Sequence, residues 1–389
     1  MKFTDYVHNG LLKKHNVGSI FMDLSRAFDV MDHDILEGKL EHYGFRGVFL
    51  NFIMSFIRER KYFVNVNSIN SDVRTVNIGV PQGSTLGPLL FLLYVNDMEN
   101  SSTLIKFVQF ADDTTIMFSC KSFSELQSTL EREGNKVVKW LTANKLLINL
   151  AKTQSMIFSF KRGNPKFTVN LNNIIIEEQQ TTTFLGVLID NKFTWKSHIL
   201  HLCSKISKGI AILRLLKHSF PKHILKMIYM SLIYSYLNYC NLIWGAADTT
   251  IMDPLFKLQK KAIRIVDKAH YLEHTEPIFK SLKVLTLHQV YDLNCLLFAF
   301  KCIVCNIFPT FKIKVSQSQT IHDHNTRNNN KYRTEDIARL KICQKSFFFH
   351  GIKLWNLIDD SLKNSSFFVF KNTLKEHLYE KYDIFNSQR

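Results

Sequence analysis

The hydrophobic period of this chain changes near residue 190, and two kinds of architecture are therefore expected on one polypeptide. Before that point, short β-type runs alternate with helical ones. Residues 17–24 read as a buried strand, 34–43 and 47–57 as helices apolar on one side, and 62–66 with 73–78 as a hairpin pair. Residues 86–95 follow the Pro81-Gln82-Gly83 break, and their length and leucine content favour a helix. Two further β-type runs, 104–110 and 114–118, flank Ala111-Asp112-Asp113, a tight hairpin with acids at its tip. A long helix over about 124–141, capped by Ser122 or Ser124, precedes strands near 154–158, 174–176 and 183–189. Mixed elements of this kind make an α+β layer architecture.

From Trp195 onward Leu, Ile and Tyr recur at helical spacing, through Leu216, Tyr239 and Ile265, with Pro221 and Pro254 expected at helix starts. The stretch 312–331, rich in Ser, Gln and Asn, reads as a loop, and a last compact piece over 342–382 carries Phe347-Phe348-Phe349 and Trp355. The expected divisions are 1–190, a helical 191–270, and a C-terminal helical region 271–389. A chain of 389 residues that is 46% hydrophobic can bury two or three such cores.

Charge separates the same two halves. Residues 1–190 hold 20 Lys and Arg against 19 Asp and Glu, whereas 191–389 hold 30 against 14, so nearly all of the +17 net charge lies in the second half. That half is expected to grip phosphates while the first does chemistry with carboxylates. Seven scattered cysteines fit reduced thiols better than a disulfide framework. The first ten residues lack the apolar core of a secretory leader, and the longest apolar run, 86–95, is too short for a bilayer. An intracellular protein of the nucleus or cytoplasm, without a membrane partner, is expected.

Asp23 ends an apolar strand, and Asp112 and Asp113 cap an apolar hairpin. Acids in such places are costly to bury, and at roughly 4 Å two of them repel by about 4 kcal/mol at an effective dielectric near 20. They either take up protons or recruit cations, and magnesium suits hard oxygen ligands with positions left for phosphates. Two ions about 4 Å apart would serve in-line nucleotidyl transfer. An Asp pair is also a common turn, so the pair alone leaves both readings open.

The order of the segments narrows the choice. Phe21-Met22-Asp23-Leu24-Ser25-Arg26-Ala27-Phe28-Asp29, then Val80-Pro81-Gln82-Gly83-Ser84-Thr85-Leu86-Gly87-Pro88-Leu89, then Phe110-Ala111-Asp112-Asp113 resemble three successive palm motifs of reverse transcriptases, in detail those of jockey-type non-LTR retrotransposons. Asn149-Leu150-Ala151-Lys152-Thr153 and Phe184-Leu185-Gly186-Val187 resemble the two later palm motifs. Leu237-Asn238-Tyr239-Cys240 with Trp244-Gly245, the run 258–264, and His324-Asn325-Thr326-Arg327 resemble the C-terminal region of the same group.

The resemblance implies a right-hand polymerase palm with an antiparallel sheet and packed helices, then a helical thumb and a small C-terminal region. It implies an RNA-directed DNA polymerase that adds dNTPs to a DNA primer on an RNA template, grips the RNA–DNA hybrid, and uses two Mg²⁺ ions, with Mn²⁺ as a substitute. Asp23, Asp112 and Asp113 would hold the metals, with the Leu24 carbonyl as a further ligand. Phe28 falls where the family places a steric gate, Gln82 and Gly83 line the nucleotide and template site, Lys152 stands near the triphosphate, and Phe184, Leu185 and Gly186 support the primer end. Only about twenty residues precede Asp23, so a chain cut off at its N-terminus, without fingers or endonuclease, is expected. A catalytically silent nucleic-acid-binding remnant is the alternative. Cys302 and Cys305 with His322 and His324 invite a zinc reading, but the cysteines sit in an apolar helical run and the His spacing is wrong for a common finger. His33, between two acids, reads as a turn residue.

Overall fold

The strand β1, Asn16–Met22, is buried along its whole length because it is covered on both faces. It lies inside a four-stranded antiparallel sheet with β7 (Lys106–Phe110), β8 (Asp113–Cys120) and β10 (Gln154–Phe158), in the order β10-β1-β8-β7. On one face Val17 and Phe21 meet the helix α1, Lys2–Leu12. The Phe3 ring lies 5.6 Å from Phe21 and 5.8 Å from Phe158, and the Cβ of any other residue at Gly10 would come within 2.4 Å of Val17. On the other face Gly18 and Ile20 meet α5, Phe123–Ala143, where a Cβ at Gly18 would strike Leu130 at 2.4 Å. Ser122 caps α5 by accepting the Glu125 N–H.

The core continues from Ile20 and Met22 into α2 (His33–His42), α3 (Gly47–Ile57) and α4 (Leu86–Val95), through Leu36, Leu40, Met54, Leu90 and Phe91. Between α3 and α4 the strands β3 (Arg60–Tyr62) and β6 (Arg74–Val76) pair, with a smaller hairpin of β4 (Asn65–Val66) and β5 (Ile69–Asn70) nested inside. After α5 come β9 (Leu147–Ile148), β11 (Thr168–Leu171), β12 (Ile174–Glu177), β13 (Thr181–Phe184) and β14 (Val187–Asp190).

The computed structural model describes residues 1–161, 166–307, 315–317, 332–334 and 346–380. It divides into two compact units, Met1–Leu185 and Gly186–Arg389. The second unit is mainly helical: α6 (Lys196–Leu216), α7 (Lys222–Tyr229), a π-helical turn Met230–Tyr234, α8 (Ser235–Asn238), α9 (Asn241–Trp244), α10 (Thr249–Val266), α11 (Thr275–Ser281) and α12 (Leu287–Ile303). α10 packs along α6, and buried Gln259 ties α10 to its neighbours by donating to the Leu285 carbonyl and accepting the Leu287 N–H. An aromatic core of Phe300, Trp355 and Phe370 joins α12 to the last helices.

The α+β class expected from the sequence is the one observed. Three local expectations differ. The strand read over 17–24 breaks at Asp23, because Leu24 and Ser25 leave the sheet to pair with Ile148 and Leu147 of β9. Pro254 lies inside α10 rather than at its start; so near the N-terminus it removes a single helical hydrogen bond. The polar stretch 312–331, expected as a loop, contributes a strand, Val315–Gln317, paired with Tyr332–Thr334. His322, His324 and the motif ending at Arg327 lie outside the described residues. Among the described residues no helix is long and apolar enough to cross a membrane.

Candidate active site

The register of β1 against β8 decides where the acids stand. Met22 pairs with Thr114, and one further step along both strands sets Asp23 opposite Asp113. β7 and β8 close with Phe110 opposite Asp113, so Ala111 and Asp112 form a two-residue hairpin turn. Ala111 has φ +51°, in the left-handed region where a Cβ is penalised and glycine is preferred. The backbone is held on the other side as well, where the Asp23 carbonyl accepts the Asn149 N–H at 2.8 Å.

That bond fixes the turn carrying Lys152. Its N–H reaches the Asn149 side chain at 3.3 Å, and its Nζ stands 3.8 Å from Asp23 Oδ2. With the lysine 70% exposed, the pair contributes little to stability; what matters is the placement of an ammonium beside the carboxylates. The Asp113 carboxyl is pushed above the usual range by loss of solvent first, then by the negative charges of Asp112 and Asp23. Asp113 thus feels the charge of both other acids. Even so, among the described residues no three His, Cys, Asp or Glu side chains stand close enough together to form a ready metal cage. The donor chemistry fits a hard divalent cation, with Asp23 opposite Asp113 in the register and Asp112 on the adjoining turn. Bringing all three carboxylates to one ion requires side-chain rotation.

The segment after Asp23 is tied to the loop before α4. Val80 N–H donates to the Phe28 carbonyl at 2.9 Å, Gly79 N–H to the Met31 carbonyl at 2.7 Å, and the Gln82 amide to Asp29 Oδ1 at 2.8 Å. Gly79 has φ +70°, and a Cβ there would lie 2.5 Å from the Asp29 carbonyl oxygen, so only glycine permits this approach. Gly83 also has φ +78° but faces open space. The Phe28 ring is half-buried, 4.6 Å from the Phe91 ring, so it both packs on the core and keeps an accessible edge. Leu24 buries its side chain within β2, Leu24–Ser25.

His33 is not a turn residue. It is the first residue of α2, buried, with Nε2 2.8 Å from the Gly79 carbonyl oxygen, and it locks the same loop. Asp29 and Gly79 are site residues that reading the sequence overlooked. The glycine immediately before Val80-Pro81-Gln82-Gly83 was the available signal.

Phe184 anchors the last motif in the first unit, its ring 5.3 Å from Phe3 and 5.7 Å from Phe21. Leu185 and Gly186 follow with φ +48° and +75°, a tight turn in which the leucine is strained. Cys302 is buried in α12, and burial pushes its thiol up to about 12, which suits core packing rather than metal ligation.

Comparison with known proteins assigns this geometry to a class. Residues 4–189 match the family described as reverse transcriptase (RNA-dependent DNA polymerase), a match that takes in nearly all of the first unit. More particularly, the chain is similar to enzymes of non-LTR retrotransposons. It is 28% identical over 284 residues to the RNA-directed DNA polymerase from mobile element jockey of Drosophila melanogaster, which covers 70% of this chain and 30% of the relative. It is 25% identical over 281 residues to the probable RNA-directed DNA polymerase from transposon X-element of the same fly, covering 70% and 31%. The chain thus spans about a third of the length of these relatives. A solved apo telomerase from Candida tropicalis is 14% identical with a TM-score of 0.39, covering 80% of this chain and 56% of that one, a likeness too low to place residues.

Proposed function

We propose that this chain is the polymerising part of a non-LTR retrotransposon reverse transcriptase, with a palm over 1–190, a thumb over 191–270 and a C-terminal region over 271–389. It extends a DNA primer on an RNA template with dNTPs. The observation that carries the reading is Asp23 set opposite Asp113 by the β1–β8 register, with Asp112 on the turn and Lys152 at 3.8 Å from Asp23.

Asp23, Asp112 and Asp113, with the Leu24 carbonyl, would hold two Mg²⁺ ions, or Mn²⁺ in their place. When bound, these supply activation of the primer hydroxyl and neutralisation of the departing pyrophosphate. The chain's own residues do the rest. Lys152 is placed to give a proton to the leaving phosphate or to steady its charge. Gln82, held by Asp29, and Gly83 line the nucleotide and template side. The accessible edge of Phe28 presses against a 2′-hydroxyl and favours deoxynucleotides. Phe184, Leu185 and Gly186 support the primer end. The basic second half tracks the RNA–DNA hybrid through its phosphates.

Primer extension by the purified chain on an RNA template with a DNA primer tests this directly. Incorporation of dNTPs that requires Mg²⁺ or Mn²⁺ and vanishes in Asp113→Asn is expected. No incorporation by the wild-type chain, or incorporation that Asp113→Asn leaves intact, overturns the reading.

A further inference from the structure

Five basic side chains of the second half meet at one place. Where α6 and α10 run side by side, a cavity of about 640 Å³ is lined by Arg214, Lys217, Lys257, Lys261, Arg264 and Tyr271, together with two apolar residues. Lys257, Lys261 and Arg264 follow one another at four and three residues along α10 and so share one face. No carboxylate lines the cavity.

Cations gather at helix C-termini for an ordinary reason, the negative end of the helix dipole, and Arg214 and Arg264 stand in last turns. That effect fades beyond the terminal turn, and Lys257 and Lys261 lie deeper inside α10. Neutralisation by neighbours does not account for them either. Asp267 is paired with Lys222 at 2.7 Å, and the Glu273 carboxylate accepts the His270 N–H at 3.1 Å. Lys217, Lys257 and Lys261 pair with no carboxylate among the described residues. Five like charges around one cavity repel, and an anion placed among them relieves that cost.

Tyr271 adds a second kind of group. Its residue is 73% exposed at the edge of the cavity, its ring tilted against that of His270 at 5.2 Å and otherwise largely open. An exposed ring beside lysines and arginines is the arrangement that stacks a base while its phosphates are held. The cavity volume suits one or two nucleotide units. Base stacking on a side chain requires a base out of its own duplex stack, so the ligand is single-stranded.

Position separates this place from the end of α6 that follows β14. Arg214 is 18 residues along the helix from Lys196, about 27 Å at 1.5 Å per residue.

We propose that this cleft binds a single strand of nucleic acid, its phosphodiesters held by Lys257, Lys261 and Arg264 and one base stacked on Tyr271. The site is made wholly of second-unit residues. The choice of nucleic acid over another polyanion rests on the function proposed above.

The test is equilibrium binding of the full chain to a fluorescently labelled 12-nucleotide RNA over a range of NaCl concentrations, without nucleotides or divalent ions, and with polyglutamate as competitor. Because binding is read without chemistry, a chain that polymerises nothing can still bind, and the two proposals fail separately. The double variant Lys257→Ala/Lys261→Ala is expected to lose about tenfold or more in affinity, and the slope of log K against log salt is expected to fall in magnitude by about 1.4, at about 0.7 per lost phosphate contact. Tyr271→Ala is expected to lose about tenfold with the slope unchanged, and Tyr271→Phe to restore it. An unchanged slope in the double variant, no loss in Tyr271→Ala, or displacement of the RNA by polyglutamate at equal charge concentration overturns the proposal.

Discussion

Glu133 offers a quantitative test of how the strands bearing the acids are held. It lies in the middle of α5 with its side chain 1% exposed, and its carboxylate accepts from Lys136 Nζ at 2.8 Å, Arg132 Nε at 2.8 Å and Ser102 Oγ at 2.7 Å. Ser102 in turn accepts the Leu104 N–H, so this cluster ties α5 to the approach of β7 and its hairpin. Burial raises the Glu133 carboxyl, but the bonds from Lys136, Ser102 and Arg132 override it and hold the group at about 2, against an ordinary value of 4.5. A depression of that size corresponds to about 3 kcal/mol at neutral pH, cut to about 2 kcal/mol by solvent around the half-exposed Arg132 and Lys136. The pKa is lowered on folding, so the contribution is full above the unfolded value and is lost as pH falls from about 4.5 through about 2. Glu133→Gln should therefore lower the urea-unfolding free energy by about 2 kcal/mol at pH 7, and by less than half of that at pH 3. A variant within about 0.5 kcal/mol of wild type at pH 7, or one equally destabilised at both pH values, would refute the reasoning.

Four further substitutions test the site. Asp113→Asn should cut primer extension by about 10³-fold or more. The same change should leave thermal stability at neutral pH equal or higher, because it removes a carboxylate whose charged form the fold penalises; a lower melting temperature would count against that electrostatic picture. Lys152→Ala should lower kcat by about 10²-fold with little effect on melting, and equal kcat in the two proteins would remove its assigned role. Gly79→Ala should cost about 2 kcal/mol or more by denaturant unfolding, since its Cβ would meet the Asp29 carbonyl oxygen at 2.5 Å; a neutral result would mean the loop is not seated as described. Phe28→Ala should raise ribonucleotide incorporation relative to deoxynucleotide in single-nucleotide extension, and an unchanged ratio would reduce Phe28 to packing against Phe91.

Much of the first unit is legible in local pattern. The helix Gly47–Ile57 and the strand Gln154–Phe158 fall on the residues their periodicity indicates, and Ser122 caps the helix it precedes. What escapes is set by partners far away in the chain. The break after Met22 exists because Leu24 and Ser25 pair with residues more than a hundred positions later. The helix Lys2–Leu12 contains a glycine, a poor helix former, yet that glycine is what lets the helix approach Val17. The aspartates were readable as motifs, but the register that opposes Asp23 to Asp113 was not, because β1 is buried on both faces and β8 over most of its length, and neither strand carries an alternation to fix it. Side-chain rotamers around the turn, and so the reach of Asp112 toward a shared ion, are not written in any local period. The hydrogen bonds of Asp29 and His33 to the Gly79–Gln82 loop likewise depend on tertiary packing, which is why these residues looked incidental.

The central claim is that Asp23 and Asp113, from strands distant in sequence, bind the same divalent cation. Electron paramagnetic resonance titration of the full chain with Mn²⁺ measures this without requiring catalysis. Saturable binding is expected in the wild type, displaced by Mg²⁺, and weakened about tenfold or more by either Asp23→Asn or Asp113→Asn, with the double variant no worse than the worse single one. Mn²⁺ binding that neither substitution changes, or that falls additively as from two independent sites, would contradict it.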